Sequence, residues 1–264
     1  MLDKVTIGIK TFLRDGKLFR ALDDIQRTMP EVKIIVADDG HHTEEKDGIY
    51  GDLVKNGHQV IQLPFDSGFG AKSNAIADAL ETEYLLVGSD DFDFAPPSVR
   101  EGIENLTDIL DTYPNFDIVS GRVNNRPYEF RLVEENGVVT EIPVLSLLEV
   151  DAYSGEVKAD LFYCDLTVNY SLIRRRVFEK VRWDDDVKIG QGEHAAFFID
   201  VKRAGFGVGC FAGGANINEQ VGSDDPVYRN YRRRALGSER ICFNRRGVRK
   251  YVMANGIVDY EKKF

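Results

Sequence analysis

The sequence predicts an α/β domain organised around a mainly parallel sheet, and two observations carry that prediction. Over roughly the first 120 residues, short apolar runs alternate with stretches of helical period, the pattern of strand–helix–strand units. Three of these runs end in polar or acidic clusters: Thr11 to Arg14, Asp38-Asp39-Gly40 and Ser89-Asp90-Asp91. Open parallel sheets bind ligands at the carboxyl ends of their strands, so the clusters fall where such a sheet carries its site.

Val5 to Ile9 is the first predicted strand. The helix from Gly16 to Met29 places Leu18, Leu22, Ile25 and Met29 on one face. Lys33 to Ala37 forms the second strand and Val60 to Leu63 the third, and Gly68-Phe69-Gly70-Ala71 leads into a helix through Leu80. Tyr84 to Val87 is the fourth strand. Asp90, Asp91 and Asp93 crowd its tip, and their repulsion demands either solvent or a cation. Pro96-Pro97-Ser98 starts a helix, and Phe116 to Ser120 is a fifth strand. From residue 122 the rhythm changes. Tyr128 to Val144 reads as a hairpin around Glu135-Asn136-Gly137, because Asn-Gly supplies the positive φ angles of a tight turn. Val177 to Val181 and Gly192 to Ala204 read as helical and Phe206 to Phe211 as a later strand. The chain shows no repeat and no low-complexity linker, so it reads as one continuous domain with a mixed second half.

Hydrophobic residues make up 43% and charged residues 30%, ordinary for a globular chain. No apolar run approaches the ~20 residues of a membrane-spanning helix. The N-terminus lacks the basic-then-apolar layout of a signal peptide. Cys164, Cys210 and Cys242 are too scattered to frame a disulfide network or a zinc site, which points to a reducing, cytoplasmic setting. The net charge of −10 conceals an asymmetry: from Tyr228 to Lys250 nine basic residues face one acid, Glu239, so the rest of the chain carries −18. A basic segment on an acidic body is expected to meet an anion.

No G-x-G-x-x-G follows the first strand, which disfavours a dinucleotide Rossmann site, and no P-loop motif occurs. Five stretches, VTIGIKTFLR, KIIVADDG, PFDSGFGAKSNAIADAL, YLLVGSDDFDF and GQGEHAAFFIDVKRAG, follow one another between residues 4 and 220. In that order they resemble family 2 glycosyltransferases of the GT-A fold, in the manner of β-1,4-N-acetylgalactosaminyltransferase-like sequences. The resemblance implies a GT-A catalytic domain over residues 1–220, with a nucleotide-binding half at 1–121 and an acceptor half at 122–220. A basic C-terminal segment at 221–264 would pack on it or extend it.

The same resemblance assigns roles. Thr11, Asp38 and Asp39 would hold the donor nucleotide, with Lys72 replacing a family Arg at the position of Ser73 and Asp90 beside the donor. Asp91 closes the D-x-D element, whose first position is here Ser89, and Asn218 stands where relatives carry His. These two would bind Mn²⁺ or Mg²⁺, hard cations suited to oxygen ligands. Glu193 is the implied general base and His194 the second choice, because attack on an anomeric carbon needs a deprotonated acceptor hydroxyl. Glu193 also reads simply as a carboxylate favoured at a helix N-terminus.

Trp183, ahead of Asp184-Asp185-Asp186, reads as a face for the acceptor or as a core residue. Cys164 reads as a buried small side chain, and His41, His42 and His58 as solvated. Arg232, Arg233 and Arg234, interleaved with aromatic residues, suit a donor diphosphate, a nucleic-acid backbone or an anionic membrane surface. The expected activity is an inverting transfer of one sugar from a nucleotide-diphosphate sugar, UDP-linked, to a glycan or lipid-linked sugar. The rival acceptor is a hydroxymethylated base in DNA. Rival classes are a sugar-phosphate nucleotidyltransferase, which would carry more glycine than KTFLRDGK, and a non-catalytic binding module.

Overall fold

The computed structural model describes residues 1–144, 160–188, 192–220, 226–232 and 238–262. The first half alternates strictly: β1 (Val5–Thr11), α1 (Asp15–Thr28), β2 (Lys33–Asp38), α2 (Glu44–Lys55), β3 (Gln59–Gln62), α3 (Phe69–Asp78) and β4 (Tyr84–Ser89). Then come β5 (Phe92–Asp93), α4 (Pro97–Thr112), β6 (Ile118–Ser120) and β7 (Arg122–Val123). The hairpin of β8 (Phe130–Glu135) and β9 (Val138–Pro143) follows, with β10 (Leu161–Cys164) and β11 (Ser171–Arg174) after it. The remainder comprises α5 (Glu193–Arg203), β12 (Val208–Phe211), β13 (Asn216–Glu219), α6 (Pro226–Arg232), α7 (Ser238–Arg245), β14 (Lys250–Val252) and β15 (Val258–Glu261).

Eight strands form the central sheet in the order β10-β12-β6-β11-β4-β1-β2-β3. The four N-terminal strands pair in parallel, as does β6 with β12, whereas β11 runs antiparallel between β4 and β6. The expected parallel first half and mixed second half are therefore both present. Successive side chains point to opposite faces, and both faces are buried. On β2, Ile34 and Val36 join Leu18, Leu22 and Ile25 in one core, while Ile35 and Ala37 join Ile76 and Ala77 in the other. The chain winds from β1 outward to β3 and returns to β4 on the opposite side of β1. That reversal leaves a crevice at the C-terminal ends of β1 and β4.

The hairpin turns where Asn-Gly placed it, with φ of 48° at Asn136 and 76° at Gly137. β14 pairs with β9 and β15 pairs with β14, so chain beyond residue 221 completes a four-stranded sheet with the hairpin. The expected helix at Val177 to Val181 is a 3-10 turn, Arg175–Glu179. His58, expected in solvent, accepts the Ile34 amide at 3.3 Å through Nδ1. Among the described residues no helix is long and apolar enough to cross a membrane.

Candidate active site at the β1–β4 crevice

A cleft of about 260 Å³ occupies the crevice, and residues from both halves of the chain line it. Its acidic floor is the turn after β4. Asp90 is fully buried and accepts the Thr11 hydroxyl at 2.8 Å and Arg14 Nε at 3.2 Å. Asp91 accepts Arg14 Nη1 at 2.6 Å on one oxygen and the Ser89 hydroxyl on the other. Burial, partly offset by Arg14 and reinforced by Asp91, lifts the Asp90 carboxyl to about 6. Burial also pushes Asp91 up, but Arg14 and Ser89 outweigh it and hold its carboxyl below the usual range. The cation that the acidic tip demands is supplied, in this arrangement, by the first turn of the chain after β1.

The two carboxylates after β2 divide their work. Asp38 accepts the Tyr50 hydroxyl at 2.7 Å and the Gly40 amide at 2.8 Å and pairs with buried Lys46 at 2.9 Å. It is consumed in holding the turn and does not line the cleft. Asp39 does line it, accepting the Gly68 amide at 2.7 Å and Lys72 Nζ. Lys72 also donates to the Thr11 carbonyl at 3.1 Å and lies 5.4 Å from the Phe12 ring centre. The approach of α3 to Asp39 depends on its glycines. Gly68 has a φ of +103°, and a Cβ at Gly70 would lie 2.0 Å from the Asp184 carbonyl oxygen. Side chains rarely adopt such a φ, and none fits the second position.

From the second half of the chain, Glu193 opens α5 and lines the cleft. His194 turns away: its Nε2–H donates to the Thr167 carbonyl at 2.5 Å, its ring packs against Phe198, and burial lowers its pKa. Trp183 is 7% exposed and stacks on Phe197, ring centres 4.2 Å apart, so its core reading is the one the packing supports. On β13, neighbouring residues point opposite ways. Glu219 lines the cleft, whereas Asn218 lies outside it and accepts from Asn216 at 3.3 Å. Cys164 is buried as expected, with its thiol pushed up, foremost by burial.

Several cleft residues were not singled out by the sequence, among them Lys10, Asn169, Lys188, Glu219 and Tyr228. Lys10 left a signal, a lone charge inside the otherwise apolar VTIGIKT. Tyr228 comes from α6, its ring 4.7 Å from the Arg14 guanidinium. Arg232 ends that helix, and Arg233 and Arg234 lie outside the described residues. Much of the remaining basic segment is spent internally. Arg245 pairs with Asp184 at 3.1 Å and Arg246 with Asp184 at 2.6 Å, and Lys250 pairs with Glu261.

The wall carries four cations (Lys10, Arg14, Lys72, Lys188) against five carboxylates (Asp39, Asp66, Asp91, Glu193, Glu219). With one carboxylate more than its cations, the wall is formally net negative. Among the described residues no group of three or more His, Cys, Asp or Glu forms a ready metal cluster. Asp91 and Glu219 both line the cleft, and their carboxylate oxygens are the donor type suited to a hard divalent ion held by one or two carboxylates together with substrate phosphates.

No family model matches the sequence. Over 202 residues it is 33% identical to β-1,4 N-acetylgalactosaminyltransferase 2 of Mus musculus, an alignment covering 74% of this chain and 36% of that protein. The chain thus spans about a third of the length of that curated relative. The structure superposes on GalNAc-T7, solved with UDP, GalNAc and Mn²⁺, at a TM-score of 0.60 and 13% identity, covering 82% of this chain and 44% of the other. It superposes on the mannosyltransferase PcManGT of Pyrobaculum calidifontis, solved with GDP-Man and Mn²⁺, at 0.57 and 12% identity, covering 92% and 64%. The chain has the GT-A fold of glycosyltransferases, and its sequence is similar to the β-1,4 N-acetylgalactosaminyltransferases.

Proposed function

We propose that this chain transfers N-acetylgalactosamine from a UDP-linked donor to a glycan hydroxyl, with inversion at the anomeric carbon. One observation carries the reading: Asp39 with Lys72, the Asp91 turn and Glu193 share a single cleft at the switch point of the sheet. The sugar and the nucleotide take their support from the relative's name and from the UDP complex of GalNAc-T7. In this reading Asp39 and Lys72 face the nucleoside, and Lys10, Arg14 and Lys188 face the diphosphate. Asp91 and Glu219 would hold Mn²⁺ or Mg²⁺, whose charge would offset that on the departing diphosphate. Glu193 accepts the proton of the acceptor hydroxyl as its oxygen bonds to the anomeric carbon. The bond from that carbon to the diphosphate breaks, its electron pair leaves with UDP, and a single in-line displacement inverts the centre. The internal pairing of Arg245, Arg246 and Lys250 leaves less charge for a nucleic acid, so the glycan is preferred to modified DNA.

The test is a donor screen by thermal shift with UDP-, GDP-, TDP- and CMP-sugars, each with and without Mn²⁺, followed by turnover on oligosaccharide acceptors. UDP-N-acetylgalactosamine should give the largest shift and a β-linked product by NMR. Absence of a shift with every donor in the presence of Mn²⁺ overturns the reading.

A further inference from the structure

Arg14 stands where a divalent ion would have to bind. Its guanidinium reaches Asp90 through Nε at 3.2 Å and Asp91 through Nη1 at 2.6 Å. Its side chain is 11% exposed, and the Tyr228 ring lies 4.7 Å from it. Both Asp91 oxygens are engaged, one by Arg14 and the other by the Ser89 hydroxyl. A cation approaching Asp91 therefore meets a positive group already bonded there, in surroundings poor in screening water. A diphosphate changes this balance. Guanidinium pairs with phosphate oxygens as readily as with carboxylates, so Arg14 can exchange Asp91 for the donor.

We propose that Arg14 is a resident counter-cation that competes with the divalent ion for Asp91, so that metal enters together with the donor diphosphate and not ahead of it. This rests on the reading of Asp91 as a metal-binding residue. Arg14 acts here as a positioning residue: by linkage, nucleotide and metal tighten one another by the same factor, and Arg14 sets that factor.

The experiment measures Mn²⁺ binding by the loss of its free EPR signal, with and without UDP, against matched UDP lacking protein. Wild-type protein should bind Mn²⁺ at least about tenfold more tightly with UDP than without. Arg14→Met should tighten the UDP-free affinity by at least about tenfold and shrink the gain from UDP correspondingly. Arg14→Lys, a point charge in place of a fork, should fall between the two. If Arg14→Met fails to fold because buried Asp90 loses its partner, the double variant Arg14→Met/Asp90→Asn carries the same expectation. Adding Asp91→Asn should erase the gain. Equal UDP-free affinity in wild type and the Arg14 variants overturns the proposal while leaving the metal reading intact. Absence of Mn²⁺ binding in every protein, UDP included, removes the metal reading and the proposal with it.

Discussion

The chain contains two dense acidic turns, Ser89-Asp90-Asp91 and Asp184-Asp185-Asp186, and each is met by arginine from elsewhere. Their surroundings separate them. The first ends β4 at the switch point of the sheet, where the backbone reverses course and a cleft opens. The second is gripped from two sides. Asn74 on α3 donates to the Trp183 carbonyl at 2.9 Å and to Asp185 at 2.6 Å, while Arg245 and Arg246 close over Asp184 and Asp186. Helix α5 joins the two regions, with Glu193 at one end in the cleft and Asp200 paired to Arg246 at 2.5 Å near the other. Identical chemistry thus lines an open cleft in one place, where we propose that it serves ligand binding, and serves tertiary assembly in the other. Position relative to the sheet decides which.

The contrast is broken most sharply by exchanging carboxylate for amide in each turn. Asp91→Asn should lower turnover by about 10³-fold, the scale of several kcal/mol of lost charge stabilisation, and because Asp90 still faces Arg14 the thermal midpoint should fall by no more than a few degrees. Steady-state kinetics beside a melting curve checks both halves of that statement. Undiminished turnover would place the chemistry elsewhere. Next in size, Glu193→Gln should cost about 10²-fold in kcat with donor affinity retained, as expected for losing a general base. His194→Ala should leave kcat within a few-fold, because its imidazole serves the Thr167 carbonyl, 2.5 Å away. A dead His194→Ala beside an active Glu193→Gln reverses the two roles.

Asp184→Asn should have the opposite signature. It weakens two ion pairs, with Arg245 and with Arg246, whose side chain is only 8% exposed. Asp200 still faces Arg246, so the loss stays near 2 kcal/mol and the midpoint should fall by roughly 4–8 °C. The kcat of the folded protein should be unchanged. A loss of turnover at full stability would show that the second turn reaches the acceptor after all.

How much of this was legible in the sequence follows from the same contrast. Strands and helices that bury an apolar stripe declared themselves, and so did the Asn136-Gly137 turn, because periodicity and positive φ are local properties. Helix α2 did not: two glycines interrupt it, and its buried residues are Lys46, Tyr50 and Leu53. The Thr43 cap, accepting the Lys46 amide at 3.2 Å, and the acids after it were its readable signal. At the site, Asp39, Lys72, Asp91 and Glu193 were placed by motif and share the cleft. That Glu219 lines the cleft and Asn218 does not depends on which way β13 faces, and pairing Arg14 with Asp90 joins residues 76 apart in the chain. The +8 of the C-terminal segment is partly balanced for a related reason: a charge count omits partners such as Asp184 that only folding brings near.

The smallest expected effect concerns titration, and it separates the cleft from the outer cluster without any mutation. Burial, followed by repulsion from Lys72, lowers the pKa of Lys10 to about 8. Arg245, bonded to Asp186 and Asp184, is instead raised and keeps its charge throughout. If Lys10 faces the donor diphosphate, UDP affinity should fall about tenfold between pH 7 and 9 as the ammonium is lost, and Lys10→Arg should move that limb upward. The stability effect has the other sign. A lysine with a depressed folded pKa stabilises the fold above its unfolded value of about 10.4, and that contribution is lost as pH falls through about 8. Lys10→Met should therefore raise the thermal midpoint at pH 7, with the advantage fading toward pH 10, while weakening UDP binding at pH 7. Opposite signs on one variant mark a charge held in the cleft for a ligand. If the variant loses neither affinity nor its stability advantage between pH 7 and 10, Lys10 belongs to the scaffold.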